Sequence, residues 1–538
     1  MAQEQKTKQE LVSYFLEREI LLSEDALAAL HEGAKKAEVA ALLREQADKG
    51  ILHLSRDVLQ LLGKGTVGNA NWHDLETSRA MLENGRNKTL YHRFLEHLTE
   101  PDKHTAPLKV EDLPKVSFPQ VRIITSHDEA PAKRSVADFV GYFTQRYKKL
   151  EAMLRGRPEV QSAMSISKVL LRKDKGTVSV IGMVTRKEET KNGNIIFTLE
   201  DTTGSVKVHV SQTKEDIYTL ARQIVPDEVI AVVGTNQGSI IFSNKIMQPD
   251  LPASHEFRKS PDETYALFLS DLHVGSKEFL EDDLLRFIQW IQGKTGSDAQ
   301  RQLAKKAKYL FIVGDLIDGV GIYPGQENDL AIPDVCGQYA ACARFIAQIP
   351  QRIKIIICPG NHDAVRLAEP QPVLDKGFAK PLYELPNVTM VSNPSVVNIH
   401  ASEGFSGFDV LLYHGYSFDY YVANVDALRN AGGYDRADLI MKFMLKRRHL
   451  APTHASTPYI PDCRQDALVI DRVPDIFATG HIHKSIAANY CATTMICGSC
   501  WQAKTAYQEK VGHHPEPSRV PIINLQTREV KILRFGKE

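Results

Sequence analysis

Asp271 and His273 stand two positions apart at the end of an apolar run, in the stretch Phe268-Leu-Ser-Asp-Leu-His-Val-Gly-Ser276. A carboxylate and an imidazole projecting from the loop after a buried strand make a rigid edge for a metal ion. Four later stretches follow the same plan. Tyr309 to Asp318 is apolar up to Gly314-Asp315 and then carries a second carboxylate, Asp318. Lys354 to Asp363 ends in Asn361-His362-Asp363, Asp409 to Gly415 ends in His414, and Asp475 to His483 ends in His481 and His483. A lone Asp-x-His carries little weight, because short motifs recur by chance. Five strand-like runs that each stop at Asp, Asn or His predict one sheet rim built to hold metal.

The elements that must position these residues fall within 256–538. Helical patterns at Leu284–Gln292 and Gln338–Ile349 flank the strands, and Pro521–Leu525 and Val530–Phe535 read as closing strands. Between His414 and Pro474 an insertion centres on Asp435–His449, a basic amphipathic helix. Its Lys442, Lys446, Arg447 and Arg448 either face solvent or, with the loop from Leu450, steer a DNA end toward the rim.

Upstream, 161–255 changes to short strands. Thr177–Val184, Asn194–Leu199, Ser205–Val210, Glu228–Gly234 and Ser239–Asn244 are separated by turn residues and one helical break, Lys214–Ile224. Five such strands suit an OB-fold barrel. OB-folds often bind single strands by stacking bases on aromatic rings, and this one offers few, namely Phe197, Tyr218 and Phe242. Protein docking is therefore the favoured expectation for the barrel.

A connecting helix is expected across 135–160. Ser135 can cap it, and Phe139, Phe143, Tyr147, Leu150 and Leu154 form the apolar stripe. The other face would hold Arg146, Lys148, Lys149, Arg155 and Arg157. Residues 61–134 read as a flexible linker, with early Gly and Asn and later Pro among charges; pieces such as Ser117–Thr125 can form a strand, but no core shows here. Residues 1–60 read as a helical module. Leu11, Tyr14, Phe15, Leu22, Leu27 and Leu30 recur at helical spacing. That pattern fits an autonomous bundle and a docking module equally well.

The 538-residue length predicts more than one domain. Sixty-six basic residues balance sixty-six acidic ones, so nucleic-acid contact would have to come from local patches. No apolar run reaches the ~18 residues of a membrane span, and the amino terminus lacks a signal-peptide core. Seven cysteines, few and odd in number, fit a reducing compartment. Cys497-Gly-Ser-Cys500 reads as core or turn thiols rather than a metal pair. The expected class is multidomain α+β: helical module, OB-fold barrel and α/β sandwich.

The strand-end residues resemble the calcineurin-like metallophosphoesterases, whose pattern is Asp-x-His, Gly-Asp-x-x-Asp, Gly-Asn-His-Asp/Glu, His and Gly-His-x-His. Carried over, the resemblance implies one divalent ion on Asp271, His273, Asp315 and His483. A second would sit on Asp315, Asn361, His414 and His481, with Asp315 bridging. It implies that His362 assists the leaving oxygen, and that Asp318 and Asp363 orient neighbouring ligands. A mixed N/O donor set suits Mn²⁺, Fe²⁺ or Zn²⁺ better than Mg²⁺, and the family most often uses manganese for nuclease work. Gly319 departs from the pattern, since many relatives carry Arg there.

The whole domain order resembles the small-subunit family of archaeal DNA polymerase D. The stretches Asp138-Phe-Val-Gly-Tyr-Phe-Thr-Gln-Arg-Tyr, Phe268–Ser276 and Arg447-Arg-His-Leu-Ala-Pro carry that likeness. The resemblance implies a 3′-to-5′ exonuclease acting on single-stranded or mismatched 3′ ends. It also implies a separate large catalytic subunit that the chain docks, with other replication factors reached through 1–60. The setting would be cytoplasmic and nucleoid-associated. A non-catalytic scaffold subunit, or a phosphoesterase for another substrate, are the alternative expectations.

Overall fold

The computed structural model describes residues 120–127, 132–505, 508–509 and 513–536, together with two short strands near the amino terminus. Residues 1–115 and 116–538 form separate compact units. In the first, Leu21–Leu22 pairs in parallel with His53–Leu54. Leu22, expected on a helical stripe, is therefore in a strand, because its backbone found a partner some thirty residues away. The rest of the expected helical module lies outside the described residues.

The second unit opens with β1 (Val121–Thr125), which pairs antiparallel with Ser395–Ile399. Within the stretch expected as linker, the piece Ser117–Thr125 thus supplies a strand, Val121–Thr125. Its partner lies more than about 270 residues downstream, so no local pattern shows what it packs against. Helix α1 (Val136–Arg155) follows, capped reciprocally by Ser135 and Asp138.

The barrel is closed and five-stranded: β2 (Thr177–Glu189), β3 (Ile195–Asp201), β4 (Gly204–Val210), helix α2 (Glu215–Gln223), β5 (Val229–Asn236) and β6 (Ile240–Met247). Its order is β2-β3-β4-β6-β5, with β4 and β6 parallel. Val180, Phe197, Leu199, Val208 and Val232 fill the interior. Of the three aromatics, Phe197 is core, Tyr218 Oη donates to the Gly193 carbonyl at 2.7 Å, and Phe242 is exposed beside His209.

Two six-stranded sheets then stack face to face. The first runs β10-β9-β8-β7-β16-β17, from β7 (Tyr265–Leu269), β8 (Ala307–Val313), β9 (Lys354–Cys358), β10 (Val388–Met390), β16 (Arg519–Asn524) and β17 (Val530–Arg534). The second runs β14-β15-β13-β12-β11-β1, from β11 (Ser395–Ile399), β12 (Phe408–Leu412), β13 (Ile476–Thr479), β14 (Ile486–Tyr490) and β15 (Thr493–Cys497). Strand alternation explains the layers. Ala266 and Phe268 of β7 point between the sheets with Phe311 and Val410, while Leu267 and Leu269 point outward against helices. Both faces are covered, which is why these strands read as continuous apolar runs. Helices α3 (Glu281–Ile291), α4 (Val335–Ile346) and α5 (Lys376–Tyr383) flank the first sheet; α6 (Ala437–Arg447) packs on the second.

Helix α1 joins barrel and sandwich. Leu150 and Leu154 pack on Ile181, Val229 and Met247 of the barrel. The expected stripe is partly corrected here. Tyr142 is buried and Phe139 exposed, and Arg146, placed on the solvent face by its charge, is 1% exposed. Arg146 Nε donates to Asp466 Oδ2 at 2.6 Å and Nη1 donates to the Pro452 carbonyl at 2.6 Å. A charge can be buried when it is paired and its donors are met.

Candidate metal centre

All five strand ends predicted from sequence (β7, β8, β9, β12 and β13) open on one rim of the sandwich. Asp271, His273, Asp315, His481 and His483 all hold left-handed backbone, with φ between 50° and 73°. Non-glycine residues rarely adopt it, and such strain concentrates at functional sites. It turns each chain sharply off its strand, so the side chain aims back over the rim. Gly314 lets the next loop close in, since a Cβ there would lie 2.2 Å from His414 Nδ1.

The donor atoms converge. Asp271, His273 and His483 form one group, and Asp315, His414 and His481 another. His273 Nε2 lies 3.1 Å from His483 Nε2, and His483 Nε2 lies 3.4 Å from Asp271 Oδ1. Asp315 Oδ2 stands between the groups, 3.3 Å from His414 Nε2 and 3.9 Å from His273 Nε2. Asn361 Oδ1 is 3.0 Å from His414 Nε2. The far nitrogens set the tautomers. His414 Nδ1 donates to the Val313 carbonyl at 2.9 Å, and His273 Nδ1 lies 3.1 Å from Asp318 Oδ1. Each leaves Nε2 directed at the centre, free to give its lone pair to a cation once any proton on it is displaced. Lone pairs of several imidazoles, an amide and carboxylates facing one another suit cations, so the residues present fit divalent metal ions.

Electrostatics are those of a site assembled for positive charge. Burial opposes ionisation of His414, yet Asp315 and Asp271 hold its pKa up at about 10. Burial likewise opposes ionisation of Asp315, but His414, His362 and His273 hold it well below the usual carboxylate range. Burial dominates at Asp363 and, with Asp315 nearby, raises it to about 7 against the pull of Gly360 and Leu316 N–H. Desolvation of the His362 ring lowers its pKa, so the free imidazole is neutral near pH 7.

The remaining predicted site residues sit around this centre. His362 N–H donates to Asp315 Oδ1 at 2.8 Å, and His362 Nδ1 donates to the Asp318 carbonyl at 2.8 Å. Its ring meets that of His273 edge-on at 4.7 Å. Asp318 touches a candidate ligand directly through His273. Asp363 instead clamps backbone, accepting from Gly360 N–H at 2.8 Å, Leu316 N–H at 3.3 Å and Tyr339 Oη at 3.1 Å. The sequence reading missed Asp419, whose Oδ2 lies 3.1 Å from His481 Nε2. A carboxylate five positions after His414 was the available signal. It also missed Gln326 and Gln502, which both donate to Asp318. Gln502 arrives from 184 residues away, and nothing local marks it.

Gly319 has a geometric reason. Its φ is +76°, and a Cβ would stand 2.4 Å from the His362 carbonyl oxygen. Replacing it by Ala is expected to cost more than about 1 kcal/mol and to displace the His362 loop. Chemical denaturation and phosphodiester hydrolysis, measured together, check both effects.

Two of the four cations on the basic helix are not where either expectation, solvent or DNA, would put them. Arg447 and Arg448 are 3% and 4% exposed. Arg447 Nε donates to Glu228 Oε1 at 2.6 Å and Nη2 donates to the Gln223 carbonyl, tying α6 to the barrel. Arg448 donates to the Ile470 and Asp471 carbonyls. Leu450 and Ala451 are buried too. Lys442, over the Tyr490 ring, and Lys446 remain half-buried. Arg447→Ala would strand Glu228 without its cation, at a cost of about 3–5 kcal/mol. An Arg447→Met, Glu228→Gln double variant should recover most of that in urea melts. A single variant as stable as wild type would remove the junction's importance. Cys497 and Cys500 are free, buried thiols.

A two-sheet α/β sandwich with this rim, next to an OB barrel, defines a metallophosphoesterase domain carrying an OB-fold. Residues 265–485 match the calcineurin-like phosphoesterase family, and residues 178–239 match the OB-fold nucleic acid binding domain. The chain is 39% identical over 401 residues to the DNA polymerase II small subunit of Methanothermobacter thermautotrophicus, covering 74% of this chain and 80% of that one. It is 39% identical over 431 residues to that of Archaeoglobus fulgidus, covering 80% and 83%. It is 39% identical over 406 residues to that of Pyrococcus furiosus, where the match covers 74% of this chain and 64% of the relative's length. The chain belongs to the DNA polymerase II small subunit family. Among the described residues no helix is long and apolar enough to cross a membrane.

Proposed function

We propose that the rim is a two-metal 3′-to-5′ exonuclease that removes nucleotides from single-stranded or mismatched DNA ends beside a replicative polymerase. The observation that carries this reading is the convergence of Asp271, His273, Asp315, Asn361, His414, His481 and His483 with none of the family's donors missing. Asp271, His273 and His483 would hold one ion, Asn361, His414 and His481 the other, and Asp315 both. Two divalent ions, Mn²⁺ by preference, polarise a phosphodiester and supply a hydroxide near neutral pH. The chain's own residues do the rest. Asp318 keeps His273 in its tautomer, and Asp363 holds the Asp315 and Asn361 loops together. His362, fixed through Nδ1, has Nε2 to carry a proton to the leaving oxygen once a phosphate's charge raises its basicity.

The chain would dock a large catalytic subunit, with residues 1–60 available for further replication factors, in the cytoplasm on the nucleoid. Polymerase activity belongs to that large subunit. The test is a 5′-labelled single-stranded oligonucleotide with Mn²⁺, using the full chain alone and with the large subunit. A ladder shortening from the 3′ end is expected. No degradation in either form would leave a scaffold, and hydrolysis of a chromogenic phosphodiester alone would leave a phosphoesterase for another substrate.

A further inference from the structure

A cleft of about 1240 Å³ opens directly beside the centre, and Asn361 and His362 form part of its wall. Its lining is unusual for a charged catalytic rim. Val320, Ile322, Leu367 and Phe378 all face it and remain 40–45% exposed. Exposed apolar side chains scattered singly need no explanation, but four gathered in one concavity mark a binding surface. Tyr416, whose ring lies 5.8 Å from that of His481, joins the lining on the metal side. The rim along α5 carries two lysines, with the acids Asp375 and Glu384 at the helix ends. Lys376 and Lys380 are exposed one turn apart, and Asp375, the acid beside them, is engaged in capping the helix through Gly377 N–H.

Size and character argue for a polymer. Small-molecule sites run to about 300–1,000 Å³, and this cleft exceeds them. Apolar and aromatic walls with lysines at the edge match single-stranded nucleic acid, whose bases stack and whose phosphates are anionic. A protein segment would use the apolar walls but has no need of the opening onto His362 and Asn361. We propose that this cleft seats the terminal nucleotides of a single-stranded nucleic acid, with a base on the Phe378 ring and a backbone phosphate at Lys376. This rests on reading the rim as a nuclease.

The test follows KM as a function of oligodeoxynucleotide length, from about two to about eight nucleotides, a span that reaches a single-strand site size. The full chain is used, alone and with the large subunit. In wild type KM should fall as length grows enough to fill the cleft. Phe378→Ala should flatten that dependence by about 10-fold, the scale of one lost stacking contact. Lys376→Glu, likewise at an exposed position, should flatten it too through loss of a phosphate contact, with binding more salt-sensitive in wild type than in the variant. Phe378→Trp should restore it. An unchanged length dependence in Phe378→Ala, with exonuclease activity intact, overturns the proposal and leaves the nuclease reading standing. Weakened association with the large subunit at unchanged length dependence overturns it in favour of a protein-docking cleft. Failure of wild type to degrade oligonucleotides of any length removes the nuclease reading, and this proposal with it.

Discussion

Asp315→Asn is expected to lower phosphodiester hydrolysis by on the order of 1000-fold, the few kcal/mol of charge stabilisation that a metal centre supplies. Metal retention should weaken with it. Asparagine keeps the side-chain shape and can still accept from His362 N–H, so the loop geometry survives and only the charge is lost. That charge stands between the two donor groups, 3.3 Å from His414 and 3.9 Å from His273. The sign with pH can also be worked out. In the metal-free protein Asp315 and Asp271 hold His414 protonated up to about pH 10, so binding an ion must expel that proton. Wild-type metal affinity should therefore rise with pH up to that value. In Asp315→Asn the His414 pKa falls, and the rise should end at lower pH. Mass spectrometry for bound metal, calorimetric titration at several pH values and hydrolysis assays cover all three outcomes. Undiminished activity would show that the centre does not perform the chemistry.

His362→Ala should separate holding metal from using it. The expected result is a fall in kcat of about 100- to 10,000-fold, the range for loss of a positioned acid–base group, at nearly unchanged metal content. The backbone N–H of residue 362 keeps its bond to Asp315, and the ring lies outside the two groups proposed to hold metal, although it does cluster with His273 and Asp318. What disappears is an imidazole anchored through Nδ1 to the Asp318 carbonyl, with Nε2 left to serve the substrate. A purely structural role for His362 would instead lower metal content or the melting temperature. The pH profile supplies a further distinction. Desolvation makes the free imidazole a weaker base than usual, so its contribution as an acid should fade as pH rises, and the variant should lose that limb. A profile identical in shape to wild type would sink the proton-carrying role, whatever the loss in rate.

The two stability effects proposed above, at Arg447 and Gly319, sit outside the donor set. They test the frame that holds the rim rather than the chemistry itself. Arg447 anchors α6 to Glu228 of the barrel, and Arg146 anchors α1 to Asp466 of the sandwich insertion. His449 shares Asp466 at 2.8 Å. The stretch Arg447-Arg-His-Leu-Ala-Pro, which carries part of the family likeness, therefore forms the seam between barrel and sandwich. Its cations serve assembly.

The sequence by itself determined the rim. Asp271, Asp315, Asn361, His414 and His481 each stand two or three residues past the end of a short buried strand. A buried strand has one period and one direction, so a motif at its end has a predictable place. The barrel was legible for the same local reason, with alternating strands separated by turn residues. Only the tertiary structure decided what distant segments do to one another. Arg146 and Arg447 look solvated on a helix surface until Asp466 and Glu228, 320 and 219 residues away, are packed against them. Val121–Thr125 could read as a strand but had no visible core until Ile399 and Val397 came alongside. Gln502 reaches Asp318 from 184 residues away, so its place in the site depends on that remote segment. Spacing along a chain fixes where a side chain points, but burial and charge pairing depend on which remote surface arrives, and no local pattern carries that information.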